Sequence, residues 1–265
     1  MIHWNVSPEI FSIGPLSIRW YGLLFATSFI LGFQIMTKIF KEEGKKEDDL
    51  NDLLWYMIIG TVAGARLGHC LFYNPSYYLS NPMEILMIWH GGLASHGAAI
   101  GILLSLYLYS KKKADQSFLW ILDRVVITVA LAGFFIRTGN LFNSEIIGKP
   151  TDVPWSFVFE RIDNIPRHPT QIYEATAYLL IFLYLITLYN KYGEKIKEGF
   201  LFGLFLITVF GFRFFVEFFK EVQEGWERDL ALDMGQILSI PLVIAGILIL
   251  YKLKFKITDS VQSKE

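Results

Sequence analysis

The chain has 265 residues, of which 53% are hydrophobic and 16% aromatic, and its mean hydropathy is +0.41. This apolar content exceeds the roughly 45–50% of soluble domains and indicates a protein whose solvent is the lipid bilayer. A formal net charge of −1 excludes a nucleic-acid surface built on overall basic charge, so electrostatic function must rest on local clusters. The single cysteine, Cys70, excludes an intrachain disulfide, and its apolar neighbours favour a buried structural side chain.

Seven stretches are long and apolar enough to span a membrane as helices: residues 18–38, 53–73, 84–110, 118–138, 172–190, 199–219 and 235–252. The first 14 residues lack the pattern of a removable signal peptide, so we expect the first span to direct insertion. The third stretch contains two histidines and several glycines, which leaves a broken or partly re-entrant segment open. With no internal repeat, residues 1–265 are predicted to form one polytopic all-α membrane domain with seven transmembrane helices.

Positive charge is distributed unevenly among the loops that connect the predicted spans. Fourteen lysines lie in the loops on one side, whereas the opposite loops hold five basic residues, Lys149, Arg161, Arg167, Lys220 and Arg228. Because the side rich in Lys and Arg stays in the cytoplasm, the N-terminus is predicted to lie outside and the C-terminus in the cytoplasm. The longest loop, near residues 139–171, would then be extracytoplasmic, together with the loop at 220–234.

Four charged residues interrupt long apolar stretches: Arg66, Arg137, Arg213 and Glu217. Such charges are costly in a bilayer unless they are paired or face water, which makes them candidates for function. Arg213 and Glu217 are four residues apart on one helix face, so a structural ion pair explains them as well as a functional one. Arg137 has no nearby acid in sequence, and its planar guanidinium suits a phosphate group.

Polar side chains follow Arg137 at the predicted outer boundary, namely Asn140, Asn143 and Glu145, just before the turn at Gly148. Two amides and a carboxylate can orient the hydroxyls of a glycerol headgroup. A helix C-cap would explain one asparagine but not the whole group, so we favour binding.

The histidines His90 and His96 are six apart, which is not the helical spacing of a zinc pair, so no metal site is predicted. A neutral imidazole suits the role of proton acceptor, and His96 is the better candidate, whereas His90 fits a structural role. The stretch 167–175 fits helix initiation as well as catalysis. Tyr21 fits either a functional site or an aromatic belt.

Seven segments in register resemble the prolipoprotein diacylglyceryl transferase family over nearly the whole chain. They are FSIGPLSIRWYG, GARLG, HGGLASHG, RTGNLFNSEIIG, RHPTQIYE, FRFFVEFF and DMGQILSIP. The resemblance implies that Arg137 and Arg213 engage the phosphate of phosphatidylglycerol and that His96 and Tyr21 are essential near the reacting centre. By the same resemblance Asn140, Asn143, Glu145, Gly148 and Glu217 complete the site.

The implied reaction transfers the diacylglyceryl group from phosphatidylglycerol to the thiol of a prolipoprotein's lipobox cysteine. It forms a thioether and releases glycerol-1-phosphate, with His96 as the first choice of base and Glu145 as its partner. No metal or cofactor is implied, phosphatidylglycerol is a cosubstrate, and the expected location is the bacterial cytoplasmic (inner) membrane. Two alternatives stay open, a transporter or channel and a different membrane enzyme such as an intramembrane protease or acyltransferase.

Overall fold

The computed structural model describes residues 1–14, 16–88, 91–222 and 231–262, most of which are helical. The helices within these residues are α1 (Trp20–Glu42), α2 (Glu47–Phe72), α3 (Pro75–Ser80), α4 (Pro82–Leu86), α5 (Ser95–Lys112), α6 (Phe118–Asn143), α7 (Thr170–Tyr192), α8 (Phe200–Val216) and α9 (Met234–Gln262). The strands are β1 (Ile2–Trp4), β2 (Glu9–Ile13), β3 (Leu16–Arg19), β4 (Phe157–Phe159) and β5 (Pro166–Arg167). Single 3-10 turns follow α7 and α8.

Among the described residues, five helical segments are long and apolar enough to cross a bilayer: Trp20–Glu42, Phe118–Asn143, Thr170–Lys195, Phe200–Phe219 and Met234–Leu253. The prediction of a mainly helical membrane protein is therefore confirmed. Helix α2 covers the second predicted span, but its glycines, arginine and histidine lower its apolarity. The count of seven spans stays a prediction.

The third predicted span is interrupted. Helix α4 ends at Leu86 and α5 begins at Ser95. Gly91 and Gly92 between them have φ angles of +83° and +72°, which a right-handed helix does not accommodate. One continuous helix over residues 84–110 is excluded, and the broken alternative is confirmed. His90 lies outside the described residues.

The chain divides into two compact units, which are described separately. The larger unit comprises Met1–Ile35 and Asp123–Glu265, and the smaller unit comprises Met36–Leu122.

The smaller unit is built on a close approach of α2 and α5 through glycines. A Cβ added to Gly64 would lie 2.8 Å from the Cα of Gly101, and one added to Gly68 would lie 2.6 Å from the Cα of Gly97. Glycines at every fourth position form one face of a helix and let two backbones touch, a common packing mode in membranes. The glycines that weaken helix propensity therefore hold this helix pair together.

Arg66 of α2 is buried and satisfies the broken segment between α4 and α5. Its Nε donates to the carbonyl oxygen of Ile85 at 3.0 Å, and its Nη1 donates to that of Gly92 at 3.2 Å. The carbonyl oxygens of Glu84 and Gly91 accept further hydrogen bonds from the same guanidinium. Carbonyls that lack helical partners need such donors. Arg66 therefore has a structural role in the smaller unit.

In the larger unit, the N-terminal segment joins the long loop before α7. Strand β1 pairs in parallel with β4, and β4 pairs antiparallel with β5. The indole of Trp4 also donates to the carbonyl oxygen of Leu141 at 3.0 Å. The sequence analysis did not predict these short strands.

A third segment, just after α8, meets the same loop. The backbone N–H of Lys149 donates to Phe219 at 2.8 Å, and that of Glu221 donates to Ile147 at 3.1 Å. The N-terminal segment, the 139–171 loop and residues 219–221 therefore share one end of the larger unit, which agrees with their predicted common side. Which side of the membrane this end faces stays a prediction.

Asp123, near the start of α6, caps a different helix. Its carboxylate accepts the backbone N–H groups of Gly199 and Phe202, both at 2.7 Å. These N–H groups belong to the unsatisfied N-terminus of α8, where a negative charge is favourable. The cap fixes the start of α8 and hence the depth of the residues at its other end.

Candidate active site

Five alternating charges form the core of the candidate site, and we call them the charge cluster. Arg137 Nε lies 3.0 Å from Glu174 Oε2, and the same oxygen lies 3.1 Å from Lys220 Nζ. Lys220 Nζ is also 3.0 Å from Glu217 Oε1, which lies 3.6 Å from Arg213 Nη2. Among the described residues the cluster begins and ends with an arginine and carries more positive than negative charge.

The charge cluster is buried at the junction of three helices. Arg137 is in the second half of α6, Glu174 in the second turn of α7, and Arg213 at the end of α8. The side chain of Glu174 is fully buried, whereas that of Arg213 is 31% exposed. Buried charges need partners of opposite sign, and the alternating order of cations and carboxylates supplies them. A ligand can reach the cluster at the partly exposed guanidinium of Arg213.

A second polar group, made of Asn140, Asn143 and Glu145, adjoins the charge cluster. Asn140 Nδ2 donates to Glu145 Oε2 at 3.0 Å, and Asn143 Nδ2 donates to Oε1 at 3.2 Å. The amide oxygen of Asn140 accepts a hydrogen bond from Arg137 Nη1 at 3.2 Å. The two amides therefore orient the Glu145 carboxylate, and Asn140 links it to Arg137. The structure thus brings together the polar residues that the sequence places in one group.

The backbone around Glu145 is strained. Ser144 and Ile146 have φ angles of +55° and +57°, and this region is costly for a β-branched residue such as isoleucine. Two buried residues of α7 hold the loop: Gln171 donates to the carbonyl oxygen of Glu145 at 2.6 Å, and Thr170 donates to that of Ile146 at 2.8 Å. Such strain at a polar group is a frequent property of functional sites.

Gly148 is required for close approach rather than for an unusual backbone angle. A Cβ at this position would lie 2.6 Å from the Cβ of His168 and 2.9 Å from the carbonyl oxygen of Phe219. Gly148 also forms a β-bridge with Lys220. It therefore lets the loop pass close enough to fix Lys220 in the charge cluster.

Outside the membrane-spanning segments, further ionisable residues surround the β-bridge between Gly148 and Lys220. Arg167 Nη2 lies 2.6 Å from Asp163 Oδ2, and Arg167 Nη1 lies 3.0 Å from Glu221 Oε2. The hydrogen bond from Arg167 lowers the pKa of Asp163, while burial lowers the pKa of His168 and of Lys220. These contacts anchor the loop over the charge cluster.

Tyr21 lies beside α6. A Cβ added to Gly139 would be 3.2 Å from the Cα of Tyr21, so α1 and α6 touch one residue away from Asn140. The structure thus places Tyr21 with the predicted polar residues of the larger unit. Arg137, Arg213, Glu145, Asn140, Asn143, Gly148 and Glu217 are the other predicted site residues in this unit.

His96 belongs to the smaller unit. It lies in the first turn of α5, and its ring centroid is 5.3 Å from that of Phe72 and 5.8 Å from that of Tyr73. His96 is therefore half-buried among aromatic rings. These contacts do not test its predicted role as a base, which stays a prediction.

Comparison with known proteins identifies the family. The sequence model described as prolipoprotein diacylglyceryl transferase matches residues 8–252. The chain belongs to this family. A protein of Chloroherpeton thalassium named phosphatidylglycerol–prolipoprotein diacylglyceryl transferase is 53% identical, over 95% of this chain and 94% of its own length. Proteins of the same name from Tolumonas auensis and Bacteroides fragilis are 50% and 44% identical; the matches cover 94% of this chain in both cases and 96% and 94% of the respective relatives.

Membership of the diacylglyceryl transferase family confirms the predicted resemblance and makes the protein a transferase. The transporter, protease and acyltransferase alternatives are set aside. Among the described residues, no group of three or more His, Cys, Asp and Glu is placed to hold a metal ion. The expectation of no metal and no cofactor stays a prediction.

Two residues of the charge cluster were not among the predicted site residues, Glu174 and Lys220. Arg137 has no nearby acid in sequence, but in the fold Glu174 of α7 pairs with its Nε. Glu174 lies in the stretch 167–175, which in sequence fits helix initiation as well as catalysis, and Lys220 is one of the five basic residues of the predicted outer loops. One signal was present in the sequence: Lys220 follows Glu217 by three residues at the end of an apolar helix.

Proposed function

We propose that the protein transfers the diacylglyceryl group of phosphatidylglycerol to the thiol of a prolipoprotein's lipobox cysteine. The names of the relatives supply the donor lipid and the acceptor class. The cysteine sulfur forms a bond to the glyceryl carbon that carries the phosphate ester, and the carbon–oxygen bond breaks. Glycerol-1-phosphate leaves with the bonding electrons, and the thiol proton passes to a base. The product is a thioether.

The charge cluster carries the proposal. The leaving phosphate gains negative charge as the carbon–oxygen bond breaks, and cations fixed in a site of low dielectric stabilise that change. Arg137 and Arg213 end the cluster, and Glu174, Lys220 and Glu217 hold them in place. We assign the phosphate to these two arginines.

The group around Glu145 is assigned to the glycerol headgroup. Its carboxylate is oriented by Asn140 and Asn143 and can accept hydrogen bonds from hydroxyl groups. Gly148 lets the loop after this group pass close to His168 and Phe219, and Tyr21 contacts α6 at Gly139, next to Asn140. The ammonium group of phosphatidylethanolamine can also pair with this carboxylate, but unlike a hydroxyl it cannot accept a hydrogen bond from either amide. The assignment therefore predicts a preference for phosphatidylglycerol.

His96 is the proposed base for the thiol proton. A thiol attacks as its thiolate, so a proton acceptor is needed, and an imidazole can serve near neutral pH. The reaction as proposed uses no metal and no cofactor, because phosphatidylglycerol supplies the transferred group. The proposed location is the bacterial cytoplasmic membrane, in multi-pass form, with the 139–171 loop on the outer face.

The test is a reconstituted transfer assay. Purified protein is incubated with a synthetic lipobox peptide and phosphatidylglycerol, and the mass of the peptide and the released glycerol phosphate are measured together. We expect one diacylglyceryl group per peptide and one glycerol phosphate per transfer. Phosphatidylethanolamine should support little transfer, and His96→Ala and Arg213→Ala should lose it while remaining folded.

A peptide whose cysteine is replaced by serine is the matched control, since it cannot form the thioether. Absence of peptide modification by folded wild-type protein, across several phosphatidylglycerols and peptides, would contradict the proposal. Equal transfer from both lipids would contradict the headgroup assignment alone.

A further inference from the structure

We infer that Gly235 is a positioning residue for the proposed reaction: because it has no side chain, the Glu217 carboxylate can take the position from which it holds Arg213. The inference rests on the proposed function, in which Arg213 binds the lipid phosphate. Gly235 lies in the first turn of α9, which begins at Met234. A Cβ added to Gly235 would overlap Oε1 and Cδ of Glu217 and would lie 2.8 Å from its Cγ. The backbone of α9 therefore lies directly against this carboxylate.

The oxygen nearest to Gly235 is the one that forms the ion pairs of Glu217. Oε1 lies 3.0 Å from Lys220 Nζ and 3.6 Å from Arg213 Nη2. It cannot be displaced from α9 without a change in both distances. Arg213 would then lose the partner that fixes its guanidinium, and a cation stabilises the developing charge of a phosphate most strongly when it is held in place.

Helix α9 is held against α8, so the contact at Gly235 is not relieved by a movement of the helix. The buried side chain of Gln236 donates from Nε2 to the carbonyl oxygen of Phe214 at 3.3 Å. Farther along the pair, a Cβ added to Gly246 would lie 2.8 Å from a backbone carbonyl oxygen of α8. A side chain added at Gly235 would therefore move the end of Glu217 rather than the helix.

Gly235→Ala is expected to fold, because the added Cβ meets the end of a flexible side chain and not a backbone. Gly64 is the opposite case, since its added Cβ would meet the carbonyl oxygen of Gly97 and the Cα of Gly101. Alanine also favours a helix over glycine. The matched control is Gly211→Ala on α8, where no described atom lies within 4 Å of an added Cβ.

The first readout is the transfer assay, with kcat and KM for phosphatidylglycerol measured separately. Loss of one fixed donor costs about 10²–10³-fold in kcat, so displacement of Arg213 by Gly235→Ala should lower kcat/KM at least about 10-fold. KM should rise as well, because the phosphate of the bound lipid is already charged. Unfolded protein lowers kcat alone, since KM does not depend on the amount of active enzyme. Gly211→Ala should match wild type in both constants.

The second readout is thermal unfolding with and without the Glu217 side chain. Glu217→Ala removes the atoms that an added Cβ would overlap. The shift in unfolding temperature caused by Gly235→Ala should therefore be more positive in the Glu217→Ala background than in the wild-type background, whereas the shift caused by Gly211→Ala should be the same in both. This comparison tests the contact independently of activity.

Two results would overturn the inference: an unchanged KM in Gly235→Ala, or a Gly235→Ala shift in unfolding temperature that is the same in both backgrounds. Either result leaves the transfer reaction intact. A wild-type protein that transfers from no phosphatidylglycerol would instead contradict the proposed function, and the unfolding comparison would still decide whether Gly235 positions Glu217.

Discussion

The two compact units each bury a polar cluster, and the clusters differ in how their charges are compensated. In the smaller unit, Tyr109 donates to the carbonyl oxygen of Asp49 at 3.0 Å, and Gln116 Nε2 donates to Asp49 Oδ2 at 2.9 Å. Lys113 pairs with the same carboxylate and lies 2.8 Å from Asp52 Oδ2. Tyr109 and Gln116 are fully buried. We call Asp49, Asp52, Tyr109, Lys113 and Gln116 the Tyr109 network.

The Tyr109 network joins the start of α2 to the end of α5, where acidic and basic side chains suit the helix termini. Its single cation lies between two carboxylates. The charge cluster has the opposite composition among the described residues, with two carboxylates between three cations, and it adjoins strained backbone at Ser144 and Ile146. A buried network that supports a fold satisfies its own groups, whereas one that binds an anion keeps cations in excess.

The largest effect is expected from Glu174→Gln. The substitution keeps the shape but removes the negative charge between Arg137 and Lys220, and an uncompensated buried charge costs about 3–5 kcal/mol. Thermal unfolding should shift strongly downward, and transfer should be lost. The control is Glu221→Gln, whose partner Arg167 retains Asp163 and whose own side chain is 44% exposed. Unchanged unfolding and transfer in Glu174→Gln would show that Glu174 does not compensate these cations.

Arg137→Lys tests the guanidinium rather than the charge. The fork of Arg137 reaches Glu174 through Nε and Asn140 through Nη1, and an ammonium group cannot make both contacts while binding a phosphate. Loss of one fixed donor to a developing charge costs about 10²–10³-fold in kcat. Arg161→Lys, at an exposed position, should retain wild-type kcat. Full kcat in Arg137→Lys would indicate that the charge alone suffices.

Tyr109→Phe tests whether the Tyr109 network supports the fold alone. It removes the hydroxyl that contacts both the carbonyl oxygen of Asp49 and Gln116 Oε1. This should lower the free energy of unfolding by about 1–3 kcal/mol because the freed partners stay buried. Once corrected for the folded fraction, kcat and KM should equal those of wild type. Tyr107→Phe, an exposed tyrosine on the same helix, is the control. A specific loss of kcat would give this network a part in the reaction.

Neighbours in sequence made part of the site predictable. Arg213 and Glu217 are four residues apart on one helix, so their proximity follows from helix geometry. Glu145 is close to Asn140 and Asn143 in sequence, but it lies beyond the end of α6, where Ser144 has a positive φ, so sequence predicts the group and not its geometry. Glu174 and Lys220 reach Arg137 only through the packing of α7 and α8, which no local pattern encodes. The same holds for β1 and β4: strands of three residues have no period to detect, and their pairing joins the two ends of a long stretch of chain.

The smallest effect is expected at Asp163, one of the ionisable residues that anchor the loop. Arg167 lowers the pKa of Asp163, so the folded state holds the carboxylate charged more strongly than the unfolded state does. The resulting stability is present above the unfolded pKa, near 4, and is lost as the pH falls through the lower folded value. The pair is partly exposed and its effect should be under about 1 kcal/mol. Wild type should therefore unfold at a slightly higher temperature than Asp163→Asn at pH 7, and the two curves should converge as the pH falls toward 3, whereas a gap that persists at low pH would show that the contact does not act through this charge.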